Sequence, residues 1–205
     1  MDFQNPISSL TELLTLHNEV SGAARDKQLL SLDVYCQEFI AASPMLLLST
    51  SNAAGLCDVS PRGDAPGFVQ VLSDTMLAIP ERLGNNRLDS ARNILENPKV
   101  GLIFLIPDVL ETLRVSGSAG LVRDPELLEV FRVNQKIPKF VVVVHVEEAF
   151  LQCGKAFKRS GLWQPETWTT AQNLTSRAKM LADQTKINEQ ELESTLESAY
   201  RERLY

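Results

Sequence analysis

Between Met45 and Phe150 the chain breaks into short apolar runs divided by turn residues, with few intervals long enough for a helix. Met45–Thr50, Phe68–Leu72, Met76–Ile79, Val100–Ile106, Glu111–Arg123 and Phe140–Phe150 read as strands, six in all. Parallel neighbours need crossover connections of about a dozen residues or more. Strands joined mainly by turns, with one or two short helices among them, therefore predict a small antiparallel barrel, mainly β with helical additions. Within Glu111–Arg123, Leu113 and Val115 alternate with Thr112 and Arg114. Gly117 and Gly120 suggest the bulges or bends that a curled strand requires. Cys57–Ser60 leads into Pro61–Gly67, which is dense in Gly and Pro and reads as a loop. Asp124-Pro125-Glu126 reads as N-cap, N1 proline and early acid of a short helix ending near Val133.

Helical segments flank this region. From Arg25 to Ser43, Leu29, Leu32, Cys36, Phe39 and Ile40 recur at helical spacing, and Ser43-Pro44 ends the pattern. Helical character returns from Gln164. There Asn188 and Glu191 form a capping-box-like start, and Leu192, Leu196, Tyr200 and Leu204 make a stripe that suits docking on the barrel or on a partner subunit. The expected organisation is an N-terminal helical segment (1–43), a barrel (44–163) and a C-terminal helical extension (164–205).

Composition narrows the function classes. A net charge of −6 argues against a broad nucleic-acid footprint. No apolar run approaches the roughly 20 residues of a membrane-spanning helix, and the N-terminus lacks the basic-then-apolar pattern of a secretory signal. Cys36, Cys57 and Cys153 are widely spaced, with no Cys-x-x-Cys pair, and read as reduced thiols of a cytoplasmic protein. His17 and His145 have no second ligand at a chelating interval, so no metal site is expected. His145 follows Val141–Val144 and reads as a packed or edge residue of a strand.

The segment richest in chemistry is Arg82–Arg87 (RLGNNR), running into LDSARNILENPKVGLIF. Asn86 can serve as N-cap with Asp89 as capping-box acid, and Leu88, Ala91 and Leu95 then share the apolar face of a helix over Arg87–Glu96. A helix start offers unpaired N–H groups and the positive end of the macrodipole, and two flanking guanidiniums would make it a receptor for a phosphate monoester. The same residues also fit an ordinary loop-to-helix junction with solvated arginines.

The order of these pieces resembles the FMN-binding split-barrel superfamily of pyridoxamine 5′-phosphate oxidase, and within it a branch of FMN-dependent enzymes. Ser60–Phe68 (SPRGDAPGF), Ile79–Ser90 (IPERLGNNRLDS) and Lys155–Trp163 (KAFKRSGLW) carry the resemblance, which covers roughly Phe39 to Trp168. It implies a six-stranded split barrel, a homodimer, and FMN in clefts at the subunit interface. It also implies that Arg82, Gly84, Asn85, Asn86 and Arg87 meet the flavin phosphate, with Arg62 and Gly63 contributing from the preceding loop. Phe68 and Val69 would border the isoalloxazine ring, and Ile79 and Pro80 would lie beside the ring and ribityl chain. Thr112, Arg159 and Trp163 would approach from the second subunit, although Trp163 equally suits a plain packing anchor.

Departures from that pattern matter as well. Gly67–Leu72 (GFVQVL) lacks the lysine of the oxidases proper, and no Arg-Leu-His triplet follows Trp163. The resemblance thus implies a flavin half of the site retained in altered form and a vitamin B6 half that is not. The expected activity is thus an FMN-dependent oxidoreductase acting on a small molecule other than pyridoxamine phosphate. A split barrel holding haem or a deazaflavin, or a non-catalytic flavin-binding module, are the alternatives. No catalytic acid or base is nominated: Asp64, Glu81 and Lys155 sit in the motif segments, where solvated charges or salt bridges are the commoner role.

Overall fold

The computed structural model describes residues 3–20, 22–168 and 174–205. Its β region contains seven strands: β1 (Met45–Ser51), β2 (Cys57–Gly63), β3 (Gln70–Ser73), β4 (Met76–Pro80), β5 (Lys99–Leu105), β6 (Thr112–Val122) and β7 (Val141–Gln152). They form one antiparallel sheet in the order β2-β1-β5-β6-β7-β4-β3. The strand absent from the sequence reading is β2. Pro61, Arg62 and Gly63 do not form a loop but continue the ladder opposite Leu47, Leu46 and Met45. Because β2 is an edge strand, Pro61 is tolerated despite its missing N–H. Conversely, Phe68 and Val69 do not start a strand: they follow a turn at Gly67 (φ +85°), and β3 begins at Gln70.

A single apolar cluster joins Leu46 and Leu48 of β1 to Leu77 and Ile79 of β4, although three strands lie between β1 and β4 in the sheet. The sheet therefore curls round its own core, and its edges β2 and β3 are not paired with each other, which is the split of a split barrel. Leu102 and Phe104, Leu113 and Val115, and Val142, Val144 and Val146 fill the interior from β5, β6 and β7.

One bulge shapes the long β6–β7 ladder. Ser116 faces Glu148 but Gly117 faces Val146, so Glu147 is an extra residue on β7. Of the two glycines expected to bend this strand, Gly117 is sterically required, since a Cβ there would lie 2.0 Å from the His145 carbonyl oxygen. Gly120 has open space around it. His145 itself is exposed, between Met76 of β4 and Ser118 of β6.

The helices are α1 (Leu10–Thr15), α2 (Gly22–Asp26), α3 (Val34–Ala42), α4 (Asp89–Glu96), α5 (Pro125–Val130), α6 (Lys155–Ser160), α7 (Arg177–Thr185) and α8 (Glu189–Glu202). The periodic stretch from Arg25 to Ser43 is not one helix. Leu29 exchanges backbone hydrogen bonds with Ala149 of β7, and α3 starts afresh with Asp33 as N-cap to the Cys36 N–H. Long-range strand pairing overrides local propensity here, while Leu32, Cys36 and Ile40 still reach the core. Pro125 occupies the first turn of α5 as expected, but the Asp124 side chain makes no capping bond. Asn188 caps α8 as read from the sequence, accepting from the N–H groups of Gln190 and Glu191. The helical reading from Gln164 also spans 169–173, which lie outside the described residues.

All three cysteines are free thiols, with Cys36 buried. Burial, reinforced by the neighbouring Asp33, pushes the Cys36 thiol up to about 11, so it stays protonated at neutral pH. Among the described residues no helix is long and apolar enough to cross a membrane. No cluster of three or more His, Cys, Asp or Glu that could hold a metal ion occurs among them either.

Candidate ligand cavity at the start of helix α4

The segment after β4 turns twice before it becomes helical. The Asn85 side-chain oxygen accepts the Arg87 N–H at 3.0 Å, an Asx turn, and Asn86 and Leu88 both adopt left-handed backbone angles (φ 58°). Asn86 is therefore not the N-cap. Leu88 holds that position and offers no side-chain acceptor, leaving the first N–H groups of α4 without a side-chain cap. The helix starts two residues later than predicted, and its buried face is Ser90 and Ile94 rather than Leu88, Ala91 and Leu95. Polar ties set that face: Asn93 donates to Thr50, Asn97 to Ser51 and Ser90 to Asp58. Leu88 and Leu95 are left exposed, at 43% and 75%.

This helix start opens into a cavity of about 870 Å³. Six cationic side chains line it (Arg62, Arg82, Arg87, Lys136, Lys139 and Arg177) against three carboxylates, Asp58, Glu81 and Asp89. Phe68, Pro80, Leu83, Ile137, Pro138 and Phe140 supply apolar wall. A cavity of this size, with one cationic end and an apolar remainder, suits a ligand that is part aromatic and part anionic.

Each of the three arginines on the β2 and β4–α4 segments already has a carboxylate partner. Arg87 Nε donates to Asp89 at 2.7 Å on an exposed surface, and Arg62 lies 3.9 Å from Glu81. Arg82 is the most committed. Its Nε donates to Asp64 at 2.7 Å, its Nη1 to the Phe131 carbonyl at 2.8 Å, and its guanidinium sits 5.6 Å from the Tyr205 ring centroid. Burial alone would raise the Asp64 carboxyl. Hydrogen bonds from Tyr205, the Ala65 N–H and Arg82 outweigh it and hold the group below the usual carboxylate range. Glu81 shows the opposite balance, with burial pushing it up and Arg62 only partly offsetting that.

These pairings make Arg82 a structural tie between loops. Arg82→Ala is expected to lower stability by about 2 kcal/mol at neutral pH, because it strands a carboxylate whose side chain is only 5% exposed. Urea denaturation measures this. A depressed folded-state pKa contributes stability above the unfolded value, near 3.9, which is lost as pH falls through the folded value. The Arg82→Ala deficit should accordingly shrink as the pH is lowered below about 4.

Nine of the residues anticipated at a ligand site line the cavity: Arg62, Gly63, Phe68, Pro80, Arg82, Gly84, Asn85, Asn86 and Arg87. Val69 and Ile79 point into the barrel core instead. Thr112 is buried at the start of β6 opposite Gln152, and Arg159 is exposed on α6. Trp163 is a packing anchor in its own chain: its indole N–H donates to the Val109 carbonyl at 2.9 Å and its ring stacks on Phe157. Sequence reasoning missed the Lys136–Phe140 loop (KIPKF), whose two lysines around a proline were a legible signal, and it missed Arg177 and Tyr205, for which there was none.

The sequence profile of the pyridoxamine 5′-phosphate oxidase family matches residues 32–153, more than half of the chain. The chain belongs to the pyridoxamine 5′-phosphate oxidase family. No curated protein matches it. Solved structures similar to this family member include a pyridoxamine 5′-phosphate oxidase candidate from Lactobacillus delbrueckii, 25% identical over 60% of this chain and 98% of that one (TM-score 0.47). HupZ from Group A Streptococcus is 20% identical over 57% of this chain and 90% of its own (TM-score 0.47). An FMN-binding protein from Syntrophomonas wolfei is 14% identical over 56% and 82% (TM-score 0.44).

Proposed function

We propose that the cavity seats FMN, with its phosphate at the start of α4 beside Arg87 and Arg62, and that the protein is an FMN-dependent oxidoreductase acting on a small molecule. The observation that carries this reading is the uncapped N-terminus of α4, flanked by Arg87 and opening into a cavity with a net excess of cations. Family membership supports the choice of flavin. The donor set fits the group: guanidinium and backbone N–H suit a dianionic phosphate, and Phe68, Pro80 and Phe140 suit a planar ring. Bound flavin would supply the electron transfer. The chain's own residues bind the phosphate, wall the ring and keep water from it. Pyridoxamine 5′-phosphate is disfavoured as substrate by the missing lysine in Gly67–Leu72 and the missing Arg-Leu-His triplet.

Under this reading the exposed Arg159, which does not line its own chain's cavity, acts across a homodimer, while Thr112 is buried and Trp163 is engaged by Val109 and Phe157 within its own chain. The exposed Leu88 and Leu95 supply apolar surface suited to that contact. Light scattering is expected to give twice the 22.8 kDa chain mass, and a monomer mass would count against the partner-subunit role. The cofactor reading itself is tested by titrating the purified protein with FMN and following quenching of flavin fluorescence. One tightly bound FMN per chain is expected, and no saturable binding would end the proposal.

A further inference from the structure

We propose that the segment ending in Tyr205 is a strap latched across the cavity, which a phosphate-bearing ligand displaces on entry; this rests on the cavity being the flavin site. Tyr205 makes three contacts with three separate loops. Its phenol donates to Asp64 Oδ1 at 2.6 Å in the β2–β3 loop, and its ring lies against Arg82 in the β4–α4 loop. Its backbone carbonyl accepts from Lys136 Nζ at 2.6 Å in the α5–β7 loop. The helix that delivers it is held far less firmly: α8 has no buried residue, and Tyr200 and Leu204 are 62% and 59% exposed. The segment is thus fastened at Tyr205 and not along α8. Arg177 of α7 also lines the cavity and bonds to Tyr200 of α8. Lys136 lines the cavity and is among the cations an anionic ligand would draw on, so strap and ligand compete for its charge.

A strap closed in most molecules slows entry and lowers apparent affinity by the fraction of molecules that are open. Tyr205→Ala should therefore bind FMN at least about threefold faster in stopped-flow quenching, with Tyr205→Phe intermediate because it keeps the ring on Arg82. Trypsin should cut after Arg201 and Arg203 faster in Tyr205→Ala than in the parent, and FMN should speed those cuts in the parent. Association rates equal to the parent's, or protection of those bonds by FMN, would overturn the strap. If neither chain binds FMN, the cofactor reading fails by itself and cleavage decides: faster cutting in Tyr205→Ala supports the latch, and unchanged cutting refutes it.

Discussion

Replacing Arg87 with alanine is expected to give a folded protein that binds FMN at least about tenfold more weakly. The Arg87 side chain is 70% exposed and, among the described residues, bonds only to Asp89, so its loss opens no void in the core. The Asp89 carboxylate left behind sits in the first turn of α4, where the macrodipole favours it. Stability should therefore change little, while the ligand loses a charge-assisted donor beside the uncapped N–H groups. Fluorescence titration and a thermal melt on one preparation read both effects. Arg82→Ala should show the reverse emphasis, because Arg82 spends its donors on Asp64 and Phe131. Full FMN affinity in Arg87→Ala would remove the phosphate from α4.

The second large effect is on the fold. Gly117→Ala is expected to cost about 3 kcal/mol or more, which is the high end for overpacking. The new Cβ would lie 2.0 Å from the His145 oxygen, 3.0 Å from its carbonyl carbon and 3.3 Å from the Val146 Cα. All three are backbone atoms, so no rotamer change can relieve the clash. Nor can β7 slide easily, because the bulged Glu147 accepts from Ser118 at 2.6 Å and from Lys99 at 2.7 Å. Gly120→Ala, three residues along the same strand, meets nothing within 4 Å and should shift stability by less than about 0.5 kcal/mol. Urea midpoints of the two variants separate a steric demand from a general cost of replacing glycine.

What the sequence made legible follows from how local each determinant is. Six strands were readable because apolar runs and turn residues are contiguous signals. The seventh was not, because Pro61 and Gly63 are loop-formers anywhere except on an edge strand, and edge position is a property of the whole sheet. The break at Leu29 was hidden for the same reason, since its partner Ala149 is 120 residues away. At the site, RLGNNR lines one wall of a cavity, yet Asn86 is not the helix cap. Asn86 is a good N-cap and also one of the few residues at ease with positive φ, and the turn used the second property. The apolar stripe of α4 was misread because Asn93 and Asn97, polar by type, find hydroxyl partners on β1 and turn inward. Tyr205 left no trace in any pattern, since a lone aromatic becomes meaningful only once Asp64, Arg82 and Lys136 are brought around it.

The standing ion pairs of Arg62 with Glu81 and Arg87 with Asp89 have a consequence for how anions are received. An arriving phosphate enters an exchange, taking over donors that were serving carboxylates, so the gain is the difference between two charged contacts. Added electrolyte screens the outgoing partners as well as the incoming one. Affinity should consequently decline with ionic strength more gently than two solvated guanidiniums would dictate, and a dianion should prevail where a singly charged competitor merely matches the residue it must evict.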